Sequence, residues 1–155
     1  MSNKGQYKPH AIQLVSLRVV ELAIKVDVTA PKDTELGEFS IETASSKYNS
    51  EKHRINVKMR VVSGENDEDG PLQLKVEVVG VFKVDESAFP VDKISHWADH
   101  NAPLILYPYV RENVYSLTNR AGFSQALLPL LEIPTFRVTA PSESGSQTQA
   151  SDKIS

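Results

Sequence analysis

Two imidazoles lie four residues apart in His96-Trp97-Ala98-Asp99-His100, and on a helix that spacing would put both on one face, where they could bind a metal with Asp99 as a further ligand. His10 and His53 sit in unrelated segments, so no third imidazole completes the set, and a polar, partly packed loop is the expected state. Arg111-Glu112 offers a cation beside an acid. Neighbouring side chains on a helix point about 100° apart, so a solvated or interfacial ion network suits the pair better than catalysis. Glu65, Asp67, Glu68 and Asp69 resemble a calcium loop only in charge, because the spacing of an EF-hand and its closing glutamate are missing. Glycine-rich phosphate loops, a nucleophile elbow and zinc-protease spacing are also absent. The expectation is a protein that is not an enzyme and carries neither metal nor cofactor.

The chain that must position these residues has 155 amino acids, 40% hydrophobic and 24% charged, enough apolar content for one core. With 17 basic and 20 acidic residues the formal charge is −3, which argues against nucleic acid or an anionic membrane as the main partner. The absence of cysteine removes disulfides, thiolate chemistry and thiolate-bound zinc together. No segment approaches the ~20 apolar residues that span a bilayer. The stretch from Ile12 to Val28 is broken by Arg18, Glu21 and Lys25, unlike a secretory signal, so a cytoplasmic location is expected.

Fourteen of the 17 valines precede residue 92, in stretches where apolar and polar residues alternate as in half-buried strands. In the first, Val20, Leu22, Ile24, Val26 and Val28 share a face opposite Glu21, Lys25 and Asp27. The second is Phe39 to Glu42. A third sets Ile55, Val57, Met59 and Val61 against Arg54, Asn56, Lys58 and Arg60. The fourth sets Leu72, Leu74, Val76 and Val78 against Gln73, Lys75 and Glu77. These predict an α+β protein whose four-stranded antiparallel sheet is a meander, wet on one face and covered on the other. Asp85 to Ala102 reads as a crossover with a short helix around Ile94 to Asp99. Pro108 then suits the first turn of one long helix, Tyr107 to Ala121, with Gly122 as its C-cap. The block Ala126 to Phe136 holds two prolines, which limits it to a short or kinked helical segment. Residues 1–8 read as a flexible N-terminus, 9–138 as the domain and 139–155 as a disordered tail.

Four strands of about eight residues present an apolar face near 19 by 26 Å, and a single helix about 10–12 Å wide covers half of it. Tyr109 and Tyr115 add apolar surface to the helix with no second long helix to receive it. A homo-oligomer is therefore expected. The apolar residues that fall outside regular periodicity exceed the needs of one small sheet, and Phe82, Phe89, Leu128, Leu131, Ile133 and Phe136 are expected to line a groove with Phe39 and Ile41 that accepts extended polypeptide. An oligomeric carrier of a small apolar ligand is the alternative from another class.

One stretch is distinctive: Ser95-His96-Trp97, then Pro103-Leu104-Ile105-Leu106-Tyr107-Pro108-Tyr109-Val110-Arg111-Glu112, running on to Ser116-Leu117-Thr118-Asn119-Arg120-Ala121-Gly122-Phe123. It resembles the bacterial export chaperone family SecB, and Thr43-Ala44-Ser45-Ser46 and Gly80-Val81-Phe82 match upstream, so the likeness runs from about Pro9 to Val138. The resemblance implies an ATP-independent holdase, a tetramer built as a dimer of dimers, which keeps preproteins export-competent for the Sec pathway and delivers them to the SecA motor. It places Phe39, Ile41, Leu131 and Phe136 in the client groove, and Val76, Val110, Val114 and Leu117 at contacts between subunits. Lys25 and Lys75 stand where export members carry acids facing SecA, and that charge reversal opposes docking. The phrase Tyr107 to Tyr115 is also similar to SecB-like chaperones of toxin–antitoxin systems, whose partner is an antitoxin.

Overall fold

The computed structural model describes residues 5–66 and 69–131; Ile133, Phe136 and the expected tail lie outside the described residues, as do Asp67 and Glu68. Four strands, β1 (Ile12–Val26), β2 (Phe39–Ser45), β3 (Arg54–Ser63) and β4 (Leu72–Val84), precede a single 3-10 turn at Val91–Lys93 and two helices, α1 (Ile94–His100) and α2 (Ala102–Arg120). The sheet order is β1-β4-β3-β2, antiparallel throughout. The expected meander therefore holds for β2 to β4, while β1 lies against the far edge of β4. Both β1 and β4 are long, and their register runs from Ile12 opposite Val84 to Val26 opposite Leu72. The connection after Val26 crosses the ends of two strands to reach β2, a span of roughly 14 Å at ~4.8 Å per strand that this length of chain bridges easily.

Alternation sets the layers. Leu72, Leu74, Val76, Val78, Phe82 and Val84 of β4 and Ile55, Val57, Met59 and Val61 of β3 are buried under the helices, and the residues between them face out. Helix α2 lies across this face with Leu106, Tyr107, Val110, Val114 and Leu117 buried. It comes so close at Gly80 that a Cβ there would stand 2.7 Å from Leu106 Cδ2 and 3.0 Å from Leu14 Cδ1. Trp97 of α1 packs edge-on against Phe82, ring centroids 5.2 Å apart.

Three expectations change in detail. Helix α2 begins at Ala102, not Tyr107, because Pro103 takes the first turn and Leu104 to Leu106 continue the helix; Pro108 sits inside it, where it removes the N–H that would bond the Leu104 carbonyl and bends the axis. Strand β1 does not keep one buried face. Its register shifts between Leu14 and Ser16 and again between Val19 and Glu21, so Val19, Val20 and Leu22 stay about half exposed at the sheet edge, and Val28 lies in the exposed loop beyond. Residues 124–131 adopt no regular secondary structure, helical or strand.

Candidate functional site

The site begins with how α2 ends. The Phe123 amide bonds the Thr118 carbonyl and the Gly122 amide the Asn119 carbonyl, with Gly122 at φ 85°, a Schellman cap that turns the chain back along the helix. Phe123 is buried by this turn, and Ser124 then bonds across the molecule, its amide to the Lys32 carbonyl at 3.0 Å. From there the chain runs antiparallel to α2 and is gripped by it. The Ala126 amide donates to Thr118 Oγ1 at 2.9 Å, Arg111 Nε donates to the Leu128 carbonyl at 2.6 Å, and the Tyr107 hydroxyl donates to the Pro129 carbonyl. Burial pushes the Tyr107 hydroxyl above its ordinary pKa against the pull of Arg111, so it remains a donor. Among these residues only Leu128 is deeply inserted, 2% exposed, whereas Leu127 and Leu130 are 64% and 81% exposed. Burying Leu128 contributes about 2 kcal/mol and the three bonds about 1 kcal/mol each. Ordering the backbone opposes this with about 1–2 kcal/mol per residue.

Between this segment and the crossing loop after β1 lies an open cavity of about 350 Å³, lined by Leu36, Phe39, Leu72, Phe123 and residues 126–129, with Thr118 at its floor. Of the anticipated groove residues, Phe39 and Leu128 meet here. Ile41 and Leu131 are part-buried and pack against the core, away from the cavity lining. Phe82 is fully buried in the core, and Phe89 lies at the opposite end of the sheet, beside His10. Val76, Val110, Val114 and Leu117, anticipated at subunit contacts, are buried within the single chain. The helix face left exposed carries Ile105, Tyr109 and Tyr115.

The remaining candidates separate. His96 and His100 stack with ring centroids 3.9 Å apart, and His100 Nδ1 is 2.9 Å from the His96 carbonyl, so the rings face one another and do not converge on a point. Asp99 accepts a bond from Ser45 Oγ at 2.7 Å and ties α1 to β2. Among the described residues no cluster of three His, Asp or Glu could hold a metal. Arg111, expected in a solvated ion network, is instead committed to a carbonyl. A separate cluster joins Tyr48 and His53 Nδ1 to Glu86 Oε1, the histidine at 3.0 Å; Tyr48's hydroxyl is pushed up to about 12 by burial and by the Glu86 bond, and Glu86 is lowered by the bonds from Tyr48 and His53.

The outer sheet face is cationic. Arg18 and Lys25 on β1, Arg54, Lys58 and Arg60 on β3, and Lys75 and Lys83 on β4 share it with Glu21, Glu42 and Glu77, a balance of 7 − 3 = +4 on a chain of net −3. The three acids gather in one row with Arg60, Glu21 at 3.8 Å from it, while Glu77 pairs with Lys58 at 3.5 Å. Lys75 and Lys25 lie beyond that row on adjacent strands, Lys75 opposite Ala23 and Lys25 opposite Gln73.

Comparison with known proteins returns one family. A family model described as SecB, preprotein translocase subunit SecB, matches residues 26–134. The uncharacterized protein MJ0357 of Methanocaldococcus jannaschii is 29% identical over 125 residues, 79% of this chain and 73% of that protein. Among solved structures, the Rv1957 SecB-like chaperone of Mycobacterium tuberculosis, in complex with a ChAD peptide from the Rv1956 HigA1 antitoxin, is similar in fold, with TM-score 0.64, 18% identity and coverage of 78% of this chain and 91% of that one. Because the family match runs from the last residue of β1 through the remaining strands, both helices and the segment gripped by α2, the chain belongs to the SecB family.

Proposed function

We propose that this protein is an ATP-independent chaperone that holds unfolded or nascent polypeptides through apolar contacts. The observation that carries the reading is the open cavity in which Leu36, Phe39, Leu72 and Phe123 form an apolar wall, with Thr34, Glu35, Ser124 and Gln125 supplying polar groups beside it. Phe39 in its wall meets client, Leu128 lines it from the neighbouring segment, and Ile41 and Leu131 pack against the core outside the lining. Copies of the chain assemble, as a tetramer, through the surface that one chain leaves uncovered: Val19, Val20 and Leu22 at the β1 edge, and Ile105, Tyr109 and Tyr115 on α2. The protein works in the cytoplasm. The direct test is aggregation of a chemically unfolded protein with stoichiometric chaperone and no ATP. Wild type suppresses aggregation, Phe39→Asp loses most of the effect with the assembly intact, and wild type without effect ends this reading.

A second reading, protection of an antitoxin in place of delivery to SecA, is favoured by one observation. Lys25 and Lys75 belong to a face of net positive charge, which repels a cationic partner and attracts an acidic one. The antitoxin peptide bound to the Mycobacterium tuberculosis neighbour supports the same direction. A toxin gene adjacent to this one, and antitoxin stabilised on co-expression, would separate this role from export.

A further inference from the structure

The geometry points to residues 126–131 as an internal stand-in for client, occupying a backbone-reading site made by Tyr107, Arg111 and Thr118. This rests on the reading of the chain as a polypeptide-binding protein and adds which residues read the polypeptide and what fills the site beforehand.

The grip is independent of sequence in an unusual way. Its three hydrogen bonds go to main-chain groups: the Ala126 amide and the carbonyls of Leu128 and Pro129. Two of the three use carbonyls, which every residue supplies, so proline is accepted at the last position, as Pro129 itself demonstrates. The deepest side chain is Leu128, with Ala126 and Leu131 packed less deeply against the core, while Leu127 and Leu130 point to solvent. A site with those properties selects a segment that offers an aliphatic side chain at the Leu128 position, accepts varied residues at the exposed ones, and needs no secondary structure in its ligand. Those are the demands of binding unfolded chains. The resident segment is tethered to α2 through the Gly122 turn, so it competes as an intramolecular ligand at an effective concentration near the millimolar range. Leu36, Phe39, Leu72 and Phe123 on the other sides of the cavity supply apolar contact, and an incoming segment that displaced residues 126–131 would meet them.

The test uses the full-length chain and a fluorescein-labelled peptide of residues 124–131, Ser-Gln-Ala-Leu-Leu-Pro-Leu-Leu, with a lysine tail for solubility. Leu128→Ser in the chain removes the deepest side chain and vacates the site. The variant binds the peptide at least tenfold more tightly than wild type, and adding Arg111→Gln to it reverses the gain. A folded Leu128→Ser chain that binds the peptide no more tightly than wild type overturns the inference. Should that variant fail to fold, hydrogen exchange on wild type decides: the Ala126 amide exchanges faster when a permanently unfolded polypeptide saturates the protein, and unchanged or slower exchange overturns the inference. Wild type that suppresses aggregation while Ala126 exchange stays constant removes this inference and leaves the holdase reading standing. Wild type that suppresses nothing, with the peptide still bound tightly by Leu128→Ser, does the opposite.

Discussion

At the scale of single residues, the Tyr48–His53–Glu86 cluster sets an acid limit on stability. Glu86 is depressed in the folded protein by hydrogen bonds from Tyr48 and then His53, so its contribution is full above the unfolded value of 4.5 and is lost as pH falls through the lower folded value. Tyr48 works at the other extreme: its hydroxyl is raised from 10.0 to about 12, so its contribution is complete below pH 10 and disappears as pH climbs through the folded value. Melting temperature followed against pH should show the wild type losing stability below about pH 4.5 more steeply than Glu86→Gln, with the two curves parallel near neutrality; parallel curves in acid would mean that the cluster contributes nothing. None of this was legible in the sequence. The three residues belong to separate segments, and His53 adopts φ 53°, a left-handed conformation chosen by the turn between β2 and β3.

At the scale of elements, the strands were the legible part, because β3 and β4 each bury one side and wet the other, and alternation records that directly. Strand β1 was only half legible. Valine at both parities, Val19 and Val20, conceals two register shifts that depend on the partner strand and not on β1 itself. The start of α2 was misplaced because two prolines competed for the first turn. The gripped segment was invisible as structure, since its bonds come from side chains 8 to 22 positions earlier and leave no period in its own residues. Arg111 was read as an ion-pair residue for the same reason. The one position where sequence and packing meet most tightly is Gly80, which lets α2 approach β4. Gly80→Ala should cost about 1–3 kcal/mol through overpacking against Leu106 and Leu14. Denaturant titration measures it, and a cost near zero would mean that the helix shifts freely on the sheet.

At the scale of the whole molecule, the described residues leave apolar surface at the β1 edge, on the outer face of α2 and at Leu127 and Leu130. The area estimate made from strand number and helix width anticipated that excess, although not its location, because the buried stripe of α2 had to be assigned before the exposed one could be recognised. Tyr109→Asp with Tyr115→Asp should lower the assembly state seen by light scattering while leaving far-ultraviolet circular dichroism unchanged. An unaltered mass would move subunit contact off this face. Charge is distributed just as unevenly, with the outer sheet positive on a chain of net negative charge. The molecule therefore presents different chemistry on opposite sides of one sheet.

The bond from Ser124, a residue of the cavity lining, to the Lys32 carbonyl joins positions 92 residues apart. A ribosome emits residues from the N-terminal end, so β1 to β4 can pair long before Ser124 emerges. During that interval the half-made subunit has a sheet but no finished mouth, because residues 123–129 are themselves part of its wall. Each copy would in this way build the last of its mouth from its own trailing end, and a truncated copy ending before Ser124 would be born with that mouth unfinished.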